Sequence, residues 1–310
     1  MLCELNTQKL RTSHHTLVVN PRVVGLLQSH TTLTRYLEKN MSSIKSLALS
    51  FLLFTVVGTW MSANVTAQEG SEKRETATSS FTQVEFPAAD ELMISGDLYL
   101  AHEDKSTPFI VLCHQANWSR GEYREIAPKL NELGFNCLAI DQRSGKSVND
   151  IDNLSVKKAR EAKKGTDFPD AEQDMIAALK WAKENHAEGK LILWGSSYSA
   201  ALSLRIAGEN PDLVDGALAF SPGEYFTRFG KSGDWIATSA KKIADPVFIT
   251  SARQEYQAWK AIFKSIPGES KANFRPETAG NHGSRALWEK FSDNDAYWSA
   301  VKEFLKQFES

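Results

Sequence analysis

One nine-residue stretch constrains this chain more than any other. Residues 191–199 read Leu-Ile-Leu-Trp-Gly-Ser-Ser-Tyr-Ser, an apolar run that enters a turn of small residues and leaves as a helix-forming segment. A strand that feeds so tight a turn lifts one side chain above the end of a sheet. The pattern is Gly-x-Ser-x-Gly, in which the small residues two places before and after the serine let strand and helix approach around a strained backbone. Ser197 is the candidate nucleophile, and Ser199 stands where the pattern has its second glycine.

A serine hydroxyl is a poor nucleophile near neutral pH and needs a histidine base, itself oriented by a carboxylate. On an elbow of this kind the acid and then the histidine follow the serine along the chain. After the leader the histidines are His102, His114, His186 and His282, so only His282 qualifies; it lies in Ala-Gly-Asn-His-Gly-Ser, residues 279–284. Nine carboxylates separate it from Ser197. The run 246–250, Pro-Val-Phe-Ile-Thr, has the composition of a strand buried on both faces, and Glu255 in the loop beyond it is the candidate acid. Glu224, which follows the strand at 217–221, is the alternative. An oxyanion needs two backbone amides. One is that of Tyr198, next to the nucleophile, and the other is expected in the loop after the strand at 109–113, from Gln115 or Ala116. His114 in that loop lies on the wrong side of Ser197 for the base and is expected to stabilise the turn. Trp118 and Tyr198 are the candidate walls of a substrate pocket.

Around these residues the chain alternates strands and helices. Residues 81–86 and 92–100 read as a hairpin. Strands follow at 109–113, 135–140, 190–194, 216–221 and 246–250, and helices at 121–133, 170–185, 198–208, 253–265 and 284–308. Such alternation implies a mostly parallel sheet covered by helices on both faces. Met175, Ala178, Leu179 and Ala182 share one helix face and should pack on the sheet. A basic excursion, 144–168, and an aromatic one, 222–244, fit no standard element and are expected to top the sheet beside Ser197.

Residues 47–61 form an apolar run after a lysine and before Val65-Thr-Ala67, the plan of a signal peptide cleaved after Ala67. Translation is then expected to start at Met41, with 1–40 an upstream extension, 41–67 the signal peptide, 68–80 a polar tether and 81–310 a single domain. Export to the periplasm or the exterior follows; an uncleaved segment would instead anchor the chain to a membrane. The leader holds six Lys or Arg and two Asp or Glu, leaving 30 basic and 36 acidic residues and a formal charge of minus six. No basic stripe suggests nucleic acid. Cys113 and Cys137 fall inside apolar runs and read as buried free thiols, and no His or Cys spacing suits a metal, so no cofactor is expected.

Together these segments resemble the α/β-hydrolase superfamily from about residue 81 onward. His114-Gln115 stands at the family's oxyanion turn, Asp141-Gln-Arg143-Ser-Gly145 at its Asp-x-Arg-Gly-x-Gly segment, and then come the elbow and His282-Gly283. The compact layout, without a large cap, is similar to dienelactone-hydrolase-like proteins and small serine esterases. Dienelactone hydrolases use a cysteine where this chain has Ser197, and relatives often place their acid at the position of Gln254. The resemblance implies a serine hydrolase acting on small carboxylic esters through an acyl-enzyme, with peptidase or thioesterase chemistry, or an inert binding protein, as alternatives.

Overall fold

The computed structural model describes residues 81–268 and 271–309. The extension, signal peptide and tether assigned to residues 1–80 lie outside the described residues. Among the described residues ten strands are formed: β1 (Thr82–Pro87), β2 (Met93–Tyr99), β3 (Phe109–Cys113), β4 (Asn136–Ile140), β5 (Ser147–Val148), β6 (Ile151–Asp152), β7 (Leu191–Ser196), β8 (Gly216–Phe220), β9 (Val247–Thr250) and β10 (Lys271–Phe274). Eight of them make one sheet in the order β1-β2-β4-β3-β7-β8-β9-β10, and β5 and β6 pair separately. Within the large sheet every pairing from β4 to β10 is parallel, and only β1 and β2 run against their neighbours.

The two-residue period of a strand divides the interior into two cores. Phe109, Val111 and Cys113 of β3, with Leu191 and Leu193 of β7, enter one core; Ile110, Leu112, Ile192 and Trp194 enter the other. The first core is covered by α3 (Glu172–Asn185), α4 (Tyr198–Glu209), α5 (Trp235–Ala240) and α6 (Tyr256–Ser265), and the second by α1 (Ile126–Glu132) and α7 (Asn294–Leu305). On α3 the four residues at helical spacing, Met175, Ala178, Leu179 and Ala182, are fully buried. Cys113 and Cys137 are buried free thiols.

Several local expectations are corrected. The helix read over 284–308 is interrupted: a 3-10 turn at Ser284–Leu287 ends at Trp288, which is extended with ψ 140°, and α7 starts only at Asn294. Two long-range bonds draw this stretch away from helical geometry: Trp288 Nε1 donates to the Glu122 carbonyl (2.9 Å), and the Glu289 amide to Glu125 Oε2 (3.0 Å). The helix read over 121–133 starts as a 3-10 turn, Arg120–Tyr123, before α1. The basic excursion contains the β5–β6 ribbon and α2 (Leu154–Glu161), whose start is capped by Asn153 Oδ1 accepting the Val156 amide. The aromatic excursion contains α5. The edge strand β10 was not anticipated, because its residues are mostly solvent-facing and carry no alternating apolar period.

The segment Asp141-Gln-Arg143 holds this end of the sheet by buried ion pairs. Arg120 bonds Asp97 (2.8 Å) and Asp141 (2.6 Å), and Arg143 bonds Asp174 and Asp90, both at 2.7 Å. Burial drives the Asp174 carboxyl up to about 6 against the opposing pull of Arg143. Removing one partner of such a pair leaves an uncompensated buried charge, at a typical cost of about 3–5 kcal/mol. Arg143→Leu is therefore expected to lose stability of that order at pH 8 and less at pH 5, where the stranded Asp174 takes up a proton; urea unfolding at the two pH values measures the difference.

Candidate active site

The end of β7 and the start of α4 meet at a strained turn. Ser197 has φ 60° and ψ −118°, outside the regions open to most side chains. A Cβ at Gly195 would lie 2.3 Å from the Ser199 carbonyl oxygen, so that position requires glycine. Ser199 does not imitate the glycine it replaces but bonds back. Its Oγ accepts the Ser196 amide (2.8 Å) and points its own proton at the carbonyls of Cys113 (2.7 Å) and Ser196 (2.9 Å). The side chain thereby fastens the end of β7 to the end of β3.

Above this turn Ser197 Oγ lies 2.8 Å from His282 Nε2, and His282 Nδ1 lies 2.7 Å from Glu255 Oε1. A carboxylate can only accept, so Nδ1 carries the imidazole proton and Nε2 is left to accept from the serine hydroxyl. Glu255 sits on the 3-10 turn Arg253–Glu255, just past β9. Its Oε2 accepts from Ser221 Oγ (2.7 Å) and the Ala252 amide (3.2 Å). Burial raises its pKa, but the hydrogen bond and charge of His282, with the donors Ser221 and Ala252, outweigh burial and hold it below the ordinary glutamate value. The alternative acid, Glu224, is elsewhere: its carboxylate caps α5 by accepting the amides of Ile236 and Ala237, both at 2.9 Å.

The oxyanion loop requires a correction. The Gln115 amide donates to Glu122 Oε2 at 2.8 Å, so it is consumed and cannot also bind an oxyanion. The amides of Ala116 and Tyr198 donate to no such partner: neither has a hydrogen-bond acceptor among the described residues. The parallel register Cys113↔Gly195 brings the loop after β3 beside the elbow, which leaves Ala116 and Tyr198 as the candidate pair. His114 is a turn residue. Its Nδ1 donates to the Gln115 carbonyl (2.8 Å), and its Nε2 accepts from the Gln142 amide (3.1 Å) and lies 3.1 Å from Asn153 Nδ2. Burial lowers its pKa to about 4 and keeps it neutral.

The two candidate pocket walls separate. The Tyr198 side chain is fully buried in the core, where it stacks on Phe168 with ring centroids 4.4 Å apart. It supports the elbow from below and does not face a pocket, because the first residue of α4 directs its side chain back onto the sheet. Trp118 is partly exposed. It stacks on Trp288 at 5.3 Å, under the guanidinium of Arg285, whose Nε donates to the His282 carbonyl (3.1 Å). Trp118 thus stands against the loop that presents His282.

Glu122 was not anticipated. It is fully buried beneath the elbow and takes, besides the Gln115 amide, Gln115 Nε2 (3.3 Å) and Ser196 Oγ (2.7 Å), while Ser196 Oγ accepts the Ser284 amide (2.9 Å). The oxyanion loop, the elbow and the histidine loop therefore share one carboxyl group. Its signal in sequence, a single glutamate seven residues past Gln115, is indistinguishable from a surface glutamate. Burial pushes its pKa up to about 7, opposed by Ser196, Gln115 and the charge of His282. A carboxyl whose folded pKa is raised binds a proton more tightly when folded, so its contribution to stability fades as pH rises through 7. Glu122→Gln, which cannot ionise, is expected to gain on the wild type by on the order of 3 kcal/mol between pH 5 and pH 9. Urea unfolding across that range tests this; a constant difference would mean that Glu122 stays ionised throughout. Among the described residues no three His, Cys, Asp or Glu side chains are grouped to hold a metal.

Sheet order, elbow, and the sequence of serine, carboxylate and histidine along the chain define an α/β-hydrolase. The family model described as Serine aminopeptidase, S33, matches residues 104–261, half of the chain, running through Ser197 and Glu255 and ending before His282. The chain belongs to that family. A thiohydrolase, apmlB, of Arthrinium phaeospermum is 35% identical over 130 residues, which are 42% of this chain and 39% of that relative's length. An esterase of Pyrococcus furiosus superposes with a TM-score of 0.55 at 20% identity, over 82% of this chain and 96% of the other. A dienelactone hydrolase of Anabaena variabilis gives 0.58 at 15% identity, over 75% and 100%. These likenesses establish the fold.

Proposed function

We propose that this α/β-hydrolase is a serine hydrolase that cleaves small carboxylic esters through an acyl-enzyme. The observation that carries the reading is the unbroken line from Ser197 Oγ through His282 to Glu255, at 2.8 and 2.7 Å. Ser197 Oγ attacks the acyl carbon as its proton passes to His282 Nε2. The tetrahedral oxyanion is held by the amides of Tyr198 and Ala116, and imidazolium is stabilised by Glu255. His282 then gives the proton to the departing alkoxide, leaving Ser197 acylated. Water, deprotonated by the same Nε2, releases the acid and restores the serine.

The names of the similar proteins, an esterase and a thiohydrolase, support acyl-transfer hydrolysis of this kind. Thioesters belong in the same proposal, because the acyl half of the reaction is unchanged and a thiolate leaves without needing full protonation. The test is to treat the protein with a fluorophosphonate, map the adduct by mass spectrometry, and assay p-nitrophenyl acetate, a short acyl thioester and an aminoacyl arylamide. Labelling of Ser197 and turnover of the ester are expected, with kcat in Ser197→Ala lower by about 10³-fold or more. A folded protein that resists labelling overturns the reading, and turnover of the arylamide alone would make it a peptidase.

We propose also that residues 41–67 direct export, on the strength of their apolar run and small-residue site. The exported protein is expected to begin at Gln68, which N-terminal sequencing reads directly; a retained segment would anchor the enzyme to the membrane.

A further inference from the structure

Just past the end of β8, Ser221 holds a backbone conformation that serine seldom adopts. Its φ is 59°, in the left-handed region that favours glycine, and the residue is 1% exposed. Strain of this kind persists only where the surroundings impose it, and an observed outlier is a reason to look for function. Four bonds converge here. The Ser221 amide donates to the Thr250 carbonyl (2.6 Å), and its carbonyl accepts from the Tyr225 hydroxyl (2.7 Å). Its Oγ donates to Glu255 Oε2 (2.7 Å) and accepts from the Gly283 amide (2.9 Å).

The first two bonds use the backbone alone, and glycine would make them without strain. Only the last two need a hydroxyl, and both reach the triad: one to its acid, the other to the residue that follows its histidine. The proton order runs one way. Gly283 N–H can only donate, so the single Ser221 proton points at Glu255 Oε2, while Oε1 faces His282. A glutamate also has one more side-chain torsion than an aspartate, so a contact at Oε1 alone leaves its carboxylate free to swing.

We propose that Ser221 is a positioning residue of the triad: its hydroxyl pins Glu255 Oε2, so that Oε1 stays aimed at His282 Nδ1, and fixes the backbone on which His282 stands. This rests on the serine-hydrolase reading for its kinetic consequences, but the geometry it describes does not. Glu255 is also faced by the Tyr225 and Tyr297 hydroxyls, the Ala252 amide and the His282 imidazole.

The test compares Ser221→Ala and Ser221→Gly in the full protein. Both remove the hydroxyl, but only glycine relieves the backbone, so Ser221→Gly is expected to melt at a higher temperature than Ser221→Ala while being equally impaired. With p-nitrophenyl acetate, kcat is expected to fall about 10- to 100-fold in both, the loss of one hydrogen bond to a charged group, with KM little changed. The acid limb of the kcat/KM profile should move to higher pH, since Glu255 loses a donor to its charged form. A second readout is independent of turnover: the downfield proton resonance of the His282 Nδ1–H···Glu255 bond is expected in the wild type and broadened or lost in both variants. Wild-type kcat, pH profile and resonance in Ser221→Gly would overturn the proposal. If instead the resonance responds as expected in a protein that hydrolyses no ester, the serine-hydrolase reading fails and the positioning role stands.

Discussion

Everything at the site hangs on how closely the end of β7 approaches the first turn of α4. That approach fixes Ser197 in its strained conformation, and it succeeds because Gly195 carries no side chain and Ser199 turns its hydroxyl onto the backbone on either side. The bond from Ser199 to the Cys113 carbonyl joins β7 to β3 at the level where both strands end. The loop that carries Ala116 leaves β3 at that same level, so this contact helps to set how far that loop lies from Ser197.

Loops commonly carry function because they tolerate change, and mobility comes with that tolerance. Here the loops around Ser197 are each tied to a neighbour by a buried polar bond. Glu122 and Ser196 join the oxyanion loop, the elbow and the histidine loop; Trp194 Nε1 donates to Ser284 Oγ at 2.9 Å from within the core; and Ser221 joins the acid loop to Gly283. A buried polar network of this kind contributes more to specifying one arrangement than to net stability, since each member lost water to enter it. Glu122 shows the balance: burial raises the pKa of its carboxyl even though three donors surround it.

What could be read from the sequence was what local chemistry dictates. An apolar run into Gly-Ser-Ser marked the elbow, His282 was singled out because no other histidine follows Ser197, and Glu255 because it follows a strand of Val, Phe and Ile. The strand and helix alternation likewise reflects side-chain periodicity, which a sheet with two buried faces enforces. The misses depended on which groups the folded chain brings together and on which way a side chain turns. Nothing near Gln115 reveals that its amide is taken by Glu122, and nothing near Trp288 reveals that its indole is drawn to the Glu122 carbonyl, ending a helix that the local pattern would continue. Tyr198 was placed in a pocket by its proximity in sequence to Ser197, but one position along a helix is a rotation of roughly 100°, enough to turn it into the core. Ser221 followed by a proline looked like an ordinary strand end.

The serine at position 199 bears on how such chains are recognised. A pattern that demands glycine there treats the position as a gap to be left empty, and passes over this chain. The requirement at the turn is that nothing hold strand and helix apart, and a short side chain that bonds inward meets it as well as no side chain does. Residues that look like departures from a motif can therefore be alternative solutions to the same steric problem, and the atoms they bond decide which they are.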